Sequence, residues 1–171
     1  MKKILETKRL ILREFKMQDA PDLLQIQADG GMPHLAQFGP LNLEYTQELL
    51  KRILASYKQN GFDLWAIIDK ENNKIIGYCG IHKITINENE PVNELAYRIY
   101  KPLWGNGFAT EAAKAAKEYA FNVLKLPEIV SCIAPDNEKS IRVAEKNGLK
   151  FWKNAIWRNK EHKIYRINNP F

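Results

Sequence analysis

The sequence predicts an α/β fold, a mixed sheet with helices on its faces. Three observations lead there. Strand-like and helix-like stretches alternate in the order βααββ-β-α-β-α-ββ. A glycine-rich turn joins a strand to an alanine-rich helix late in the chain. The 171 residues suffice for one domain with a substantial core, and no linker or repeat divides them, so residues 1–171 are read as one domain.

The elements follow from local pattern. Residues 7–15 (TKRLILREF) alternate apolar and charged side chains and read as the first strand. Residues 18–28 carry Leu23, Leu24 and Ile26 behind Pro21, which suits a helical first turn. Residues 29–42 hold three glycines and two prolines and read as a loop containing His34 and Phe38, a candidate wall for a substrate pocket. Residues 43–58 place Leu49, Leu50, Ile53 and Leu54 at helical spacing, and Asn60-Gly61 stops the run. Two strands, 63–69 and 74–84, flank a polar turn. A polar connection at 87–91 leads to a further strand, 93–100. The next helix extends to about Leu124, with Ala109, Ala112, Ala113, Ala116 and Ala120 along one face and lysines along the other. Small inward residues let a helix lie close to a sheet. Residues 128–134 form a strand and 137–147 a short helix closed by Gly148. Segments near 151–157 and 163–167 form an antiparallel pair.

The stretch Trp104-Gly105-Asn106-Gly107-Phe108-Ala109-Thr110-Glu111-Ala112 carries the most chemistry. At a helix N-terminus the first amides lack intrahelical partners, and the helix dipole adds partial positive charge. Glycine lets an anion approach the backbone closely. Such a loop grips a phosphorylated ligand with main-chain N–H groups. The alternative is a tight strand-to-helix turn with no ligand. Two known phosphate motifs do not fit. The nucleotide-hydrolase loop needs a Lys-Ser/Thr pair after its last glycine. The dinucleotide fingerprint needs a third glycine where Thr110 stands.

Composition narrows the classes further. Cys79 and Cys132 lie in apolar runs, as buried free thiols of a reducing compartment do. His34, His82 and His162 are scattered and show no metal-ligand spacing, so no metal is expected. Glu6, Lys8 and Arg9 interrupt any signal-peptide core, and no run reaches membrane-spanning length, which predicts a cytoplasmic protein without membrane contact. The net charge of +6 suits a polyanionic cofactor, an acidic protein or a nucleic-acid neighbour. Direct nucleic-acid binding is not expected. It needs clustered basic and aromatic residues, and the one candidate patch, 152–163 (WKNAIWRNKEHK), reads better as two strands.

Four motifs, taken together and in this order, resemble the GNAT N-acetyltransferase superfamily, and within it the RimJ/RimL-like branch of ribosomal-protein-alanine acetyltransferases. Thr7-Lys8-Arg9-Leu10-Ile11-Leu12-Arg13, followed by Asp19-Ala20, is similar to the branch's first strand and helix start. Glu94-Leu95-Ala96-Tyr97 resembles its Glu-x-Gly-Tyr, with Ala96 in the glycine position. The glycine loop resembles Trp-Gly-x-Gly-Tyr-Ala-Thr-Glu-Ala. Asn137 to Gly148 resembles Asn-x-x-Ser-x-x-x-x-Glu-Lys-x-Gly. Trp104 departs from the Arg/Gln of the wider superfamily pattern but suits the branch.

The resemblance implies a mostly antiparallel central sheet whose strands splay around the glycine-loop helix, acetyl-CoA as cofactor, and transfer of acetyl to an amine in a ternary complex. It places the CoA diphosphate on the amides of Gly105, Asn106, Gly107, Phe108, Ala109 and Thr110 beside Trp104, and the pantetheine arm in the splay, pairing with backbone near Ile99. Asn137 would touch CoA while its side chain caps the following helix through Ser140 N–H. The implied acceptor is a protein N-terminal amine or a small amine, including polyamines and aminated antibiotics. The +6 charge works against capture of a free polyamine. The protein would act as a monomer or homodimer.

Two residues are candidate catalysts. Glu94 begins the central strand, where a carboxylate can bind or deprotonate the amine. The competing reading is a strand-end charge facing solvent. Ser140 is the candidate proton donor to the leaving thiolate, because the position where many relatives carry a tyrosine is Ala144. The competing reading is a polar residue in a helix's first turn. A thiol pKa near 8.5 makes the thiolate a tolerable leaving group without an acid. A non-catalytic CoA-binding module is the alternative function.

Overall fold

The computed structural model describes residues 2–30 and 41–171. Among the described residues, eight strands form one sheet in the order β1-β2-β3-β4-β5-β6-β8-β7. They are β1 (Lys3–Glu6), β2 (Leu10–Arg13), β3 (Leu64–Asp69), β4 (Lys74–Ile86), β5 (Glu90–Ile99), β6 (Glu128–Ile133), β7 (Lys150–Trp157) and β8 (Lys160–Asn168). Every pairing is antiparallel except β5 with β6. Helices α1 (Ala20–Gln27) and α2 (Leu43–Asn60) pack on one face through Leu23, Leu50 and Ile53 against Ala66 and Ile68. Helices α3 (Phe108–Asn122) and α4 (Glu138–Lys146) cover the other. There Ala112, Ala113, Ala116 and Ala120, all fully buried, bring α3 down onto Cys79, Ile81, Leu95 and Ile99. His34 and Phe38 lie outside the described residues.

Caps set the helix ends. Asn42 Oδ1 accepts from Tyr45 N–H at 2.9 Å to start α2, and Gly61, at φ +81°, ends it. Beneath α1 lies a buried ion pair. Arg13 donates through Nη1 and Nη2 to the two oxygens of Asp19, at 2.6 and 2.9 Å. Asp19 also accepts from Lys16 N–H, so the pair ties the end of β2 to the start of the helical face.

Two stretches depart from their sequence reading. The strand expected at 7–15 is the later arm of a hairpin whose first arm, β1, hides among lysines. Thr7 closes the turn: its N–H donates to Leu10 O and its Oγ1 accepts from Leu10 N–H, both near 3 Å. Its hydroxyl favours a turn that alternation alone does not reveal. The connection expected at 87–91 is shorter. Asn87 and Glu88 take left-handed φ of 47° and 66°, and β5 starts at Glu90. Pro91 sits inside the strand because it faces Thr85 at a position that asks no N–H of it on the β4 side.

That alternation also fixes what β5 offers on its other side. Tyr100 N–H bonds Ile76 O at 2.7 Å, so even-numbered residues of β5 pair with β4, while Leu95, Tyr97 and Ile99 turn their N–H and C=O groups toward β6. Yet β5 and β6 share a single register pair, Glu94 with Val130. Beyond it the strands part.

Truncating one partner of the buried pair tests its weight. Asp19→Ala leaves Arg13 buried without its carboxylate and is expected to lower the unfolding free energy by about 3–5 kcal/mol, read from urea denaturation. A loss under ~1 kcal/mol would remove the pair from the account.

Candidate active site

The glycine loop lies at the open end of the parted strands. Gly105 and Gly107 have φ of +85° and +79°, and Gly107 is the N-cap of α3 without a side-chain cap. Left-handed backbone at both glycines turns the chain so that successive amides converge. Among the described residues, the amides of Gly105, Asn106, Gly107, Phe108, Ala109 and Thr110 have no hydrogen-bond acceptor, whereas Glu111 N–H returns to Gly107 O at 3.1 Å. A row of free donors at the N-terminus of a fifteen-residue helix is an anion site.

Arg9, from the β1–β2 turn, braces this loop. Its Nη1 donates to Asn106 O at 2.9 Å and its guanidinium lies 4.4 Å from the centre of the Phe108 ring. Its Nε and main-chain N–H both donate to the Glu111 carboxylate, at 2.7 and 3.0 Å, and Thr7 Oγ1 donates to the same carboxylate at 2.6 Å. Burial works against charge on Glu111, but these donors outweigh it and hold its carboxyl below the usual range. Glu111 therefore does more than complement the helix dipole. It bolts the N-terminal hairpin to the loop and leaves a guanidinium at its rim.

Trp104, at the loop's near end, donates its indole N–H to Ile99 O at 2.7 Å and carries Lys139 Nζ 4.7 Å from its ring centre. One of the two main-chain groups that Ile99 turns toward the gap is thereby occupied by Trp104, and the Ile99 N–H is the group left facing β6. Across the gap, Asn137 Oδ1 accepts from Ser140 N–H at 3.1 Å, the cap that starts α4. Tyr97 reaches over from β5, donating its phenol to Ser140 O at 2.8 Å. Its oxygen is 3.4 Å from Ser140 Oγ. Burial pushes the Tyr97 phenol up, so it stays protonated. Ala144, at the position where the resemblance would allow a tyrosine, is fully buried.

The opposite face of the sheet, under α1 and α2, carries Glu94. It is 5% exposed rather than a solvent-facing charge. Its Oε1 accepts from Cys132 N–H at 3.1 Å, and its Oε2 meets His82 Nε2 at 2.6 Å. Cys79 and Cys132 are free thiols, raised by burial. Nearby, Arg98 is committed to Ile26 O and Asp29. Among the described residues, no three His, Cys, Asp or Glu side chains are placed to hold a metal, and no helix is long and apolar enough to cross a membrane.

Residues 9–150 match the acetyltransferase (GNAT) domain family. The chain belongs to the GNAT acetyltransferases. It is 30% identical over 98% of its length, and 92% of the relative's, to the uncharacterized N-acetyltransferase YoaA of Bacillus subtilis. Among solved structures, an acetyltransferase from Agrobacterium tumefaciens is 32% identical and superposes with a TM-score of 0.78 over 96% of this chain and 93% of that one. RimL, a ribosomal L7/L12 alpha-N-protein acetyltransferase in complex with coenzyme A, shares the fold at 15% identity, with a TM-score of 0.77 over 98% of each chain. This GNAT protein is thus an N-acetyltransferase, with the mixed, helix-flanked sheet of its family.

The structure brings the expected site residues to one opening. Trp104, the glycine loop, Ile99, Asn137 and Ser140 lie on the α3–α4 side, and Glu94 lies on the α1–α2 side of the same parted strands. Sequence reasoning passed over Arg9 and His82. A hairpin centred on Glu88 sets His82 opposite Glu94, six residues to either side, so the pairing is visible once that turn is found.

The Glu111 clamp has a pH signature. A carboxyl held low by its partners stabilises the fold above the ordinary glutamate pKa of about 4.3, and that contribution fades as pH falls through its lower folded value. Glu111→Gln is expected to be less stable than wild type at pH 7. Thermal melts should show the two converging below pH 4. A constant gap across that range would contradict the clamp.

Proposed function

We propose that this GNAT protein binds acetyl-CoA with its diphosphate on the amides of Gly105, Asn106, Gly107, Phe108, Ala109 and Thr110, and passes the acetyl group to a primary amine in a ternary complex. The observation carrying this reading is the run of unspent donors at two left-handed glycines beside strands that have parted. Arg9 adds a cation at the rim, while Trp104, Lys139 and Asn137 border the groove toward α4. These groups fit an anionic cofactor with an extended arm. The RimL relative, solved with coenzyme A, supports it. Acetyl-CoA supplies the activated acetyl group. The arm would lie along β5, taking the place of the missing strand beside Ile99 and Tyr97.

On the acceptor side, Glu94 supplies negative charge at the mouth of the gap. On the donor side, the Ser140 hydroxyl, held beside the gap by the Tyr97 phenol's bond to Ser140 O, relays a proton from the acceptor nitrogen to the departing sulfur. Charge supports one acceptor class over another. A chain at +6 repels free polyamines at long range, which favours a protein α-amine in the cytoplasm over a small polyamine.

Gly107→Val tests the cradle. A β-branched residue at φ +79° costs roughly 1–2 kcal/mol of stability and disturbs donors worth about 1.5–3 kcal/mol to a charged ligand. Calorimetry should show CoA affinity falling roughly 10- to 100-fold in a protein that remains folded. Unchanged affinity would move the diphosphate elsewhere. Ser140→Ala should lower kcat for thiol release by more than it weakens CoA binding, and an unaltered rate would take Ser140 out of the reaction. Tight CoA binding without thiol release from acetyl-CoA in the presence of any peptide, polyamine or aminoglycoside would make the protein a CoA-binding module instead.

A further inference from the structure

The proton leaving the acceptor amine needs a base within reach, and Glu94 is buried and engaged on both oxygens. One carboxylate oxygen accepts from Cys132 N–H and the other is held at 2.6 Å by His82 Nε2. The side chain of Glu94 is 7% exposed and that of His82 21%. His82 and Glu94 face each other across β4 and β5, so both project to the same side of the sheet. Tyr78, on β4 at the same parity as His82, packs there among residues of α1 and α2. That side is opposite the α3 face, and Glu94 forms the last pair before β5 and β6 separate. The imidazole thus stands at the mouth of the gap, on the face away from α3. Among the described residues its second nitrogen, Nδ1, has no partner.

We propose that His82 is the general base of this acetyltransferase and that Glu94 is its positioning residue. The inference rests on the acetyl-transfer reading above. Glu94 Oε2 accepts from Nε2–H, which selects the tautomer whose lone pair is on Nδ1. The acceptor arrives as an ammonium ion and gives one proton to Nδ1. The nitrogen lone pair then forms the new N–C bond at the acetyl carbon as the C–S bond breaks and its electron pair leaves with sulfur. The second proton of the nitrogen passes to sulfur through the Ser140 hydroxyl or water, and the imidazolium returns its proton to solvent. The sum is amide, free thiol and one proton.

The charge environment agrees. Burial disfavours the imidazolium, but the hydrogen bond and charge of Glu94 outweigh it, with Asp63 ahead of β3 helping and Arg158 from the β7–β8 turn opposing. His82 therefore titrates above the ordinary histidine value of about 6.5. It is matched to an α-amine near 7.7–8.0 better than to a lysine near 10.4.

The test uses thiol release from acetyl-CoA with an Ala-initiated hexapeptide, spermidine or kanamycin, whichever the wild type acetylates fastest. His82→Gln keeps a donor to Glu94 and removes the base. It is expected to lower kcat about 100-fold or more at pH 7, with unchanged CoA affinity. The acidic limb of kcat/KM should move up to the pKa of the amine itself. Glu94→Gln should move the same limb down. His82→Gln as fast as wild type, with the limb in place, overturns the role of His82 alone. No thiol release by the wild type with any of the three amines overturns the parent reading and this role together. Should His82→Gln fail to fold, the imidazole signals of the wild type decide, with His34→Gln and His162→Gln assigning the other two. A His82 pKa at or below 6.5 overturns the pair, and one above it that drops in Glu94→Gln supports it.

Discussion

Everything at this site depends on two neighbouring strands that stop pairing. A parallel ladder between β5 and β6 would seal the sheet and leave no room for a ligand between its faces. After Glu94 and Val130 the ladder ends, and side chains take over some of the bonds the backbone gives up. Ser131 Oγ donates to Leu95 O at 2.8 Å, and Cys132 N–H turns to the Glu94 carboxylate. Main-chain groups in a sheet interior are costly to leave unpaired. These substitutions allow the strands to open before any ligand is present. The same carboxylate that supports the opening also holds His82, so one residue serves both the fold and the proposed base.

The second constraint is rigidity at the loop. A cradle of main-chain donors is selective only if the amides are fixed in place beforehand. Glu111 supplies this by gathering three donors from the β1–β2 turn, and Arg9 by reaching onward to Asn106 O and Phe108. The first hairpin of the chain is thus a strut for a loop a hundred residues later. On the far side, Tyr97 reaches from β5 to the first turn of α4, fixing Ser140 relative to the gap. Both walls of the groove are tied to the sheet by side chains rather than by ladder bonds.

What the sequence disclosed followed the range of each interaction. The glycine loop was legible because left-handed backbone and free helix-start amides are properties of a few adjacent residues. The caps by Asn137 and Gly61 were legible for the same reason, and the alanine face of α3 because helical period is local. The β1 strand was not, since its few residues alternate too briefly to stand out from a charged terminus and Thr7 hides the turn. His82 looked like one of three scattered histidines because its importance comes from register across the β4–β5 hairpin, and a turn placed two residues too long conceals that register. Arg9 escaped because its partners, Asn106, Phe108 and Glu111, are distant in sequence. Ser140 and Asn137 were found through motif spacing, yet the contact of Ser140 with Tyr97 across the gap needed the fold.

The central claim is that the backbone amides from 105 to 110 hold the diphosphate of the cofactor. The most direct test is an amide-resolved NMR titration of the protein with CoA. The account predicts that the N–H signals of Gly105, Asn106, Gly107, Phe108, Ala109 and Thr110 shift most strongly, together with Ile99 along the arm. Saturable binding that leaves those six signals in place while others move would contradict it.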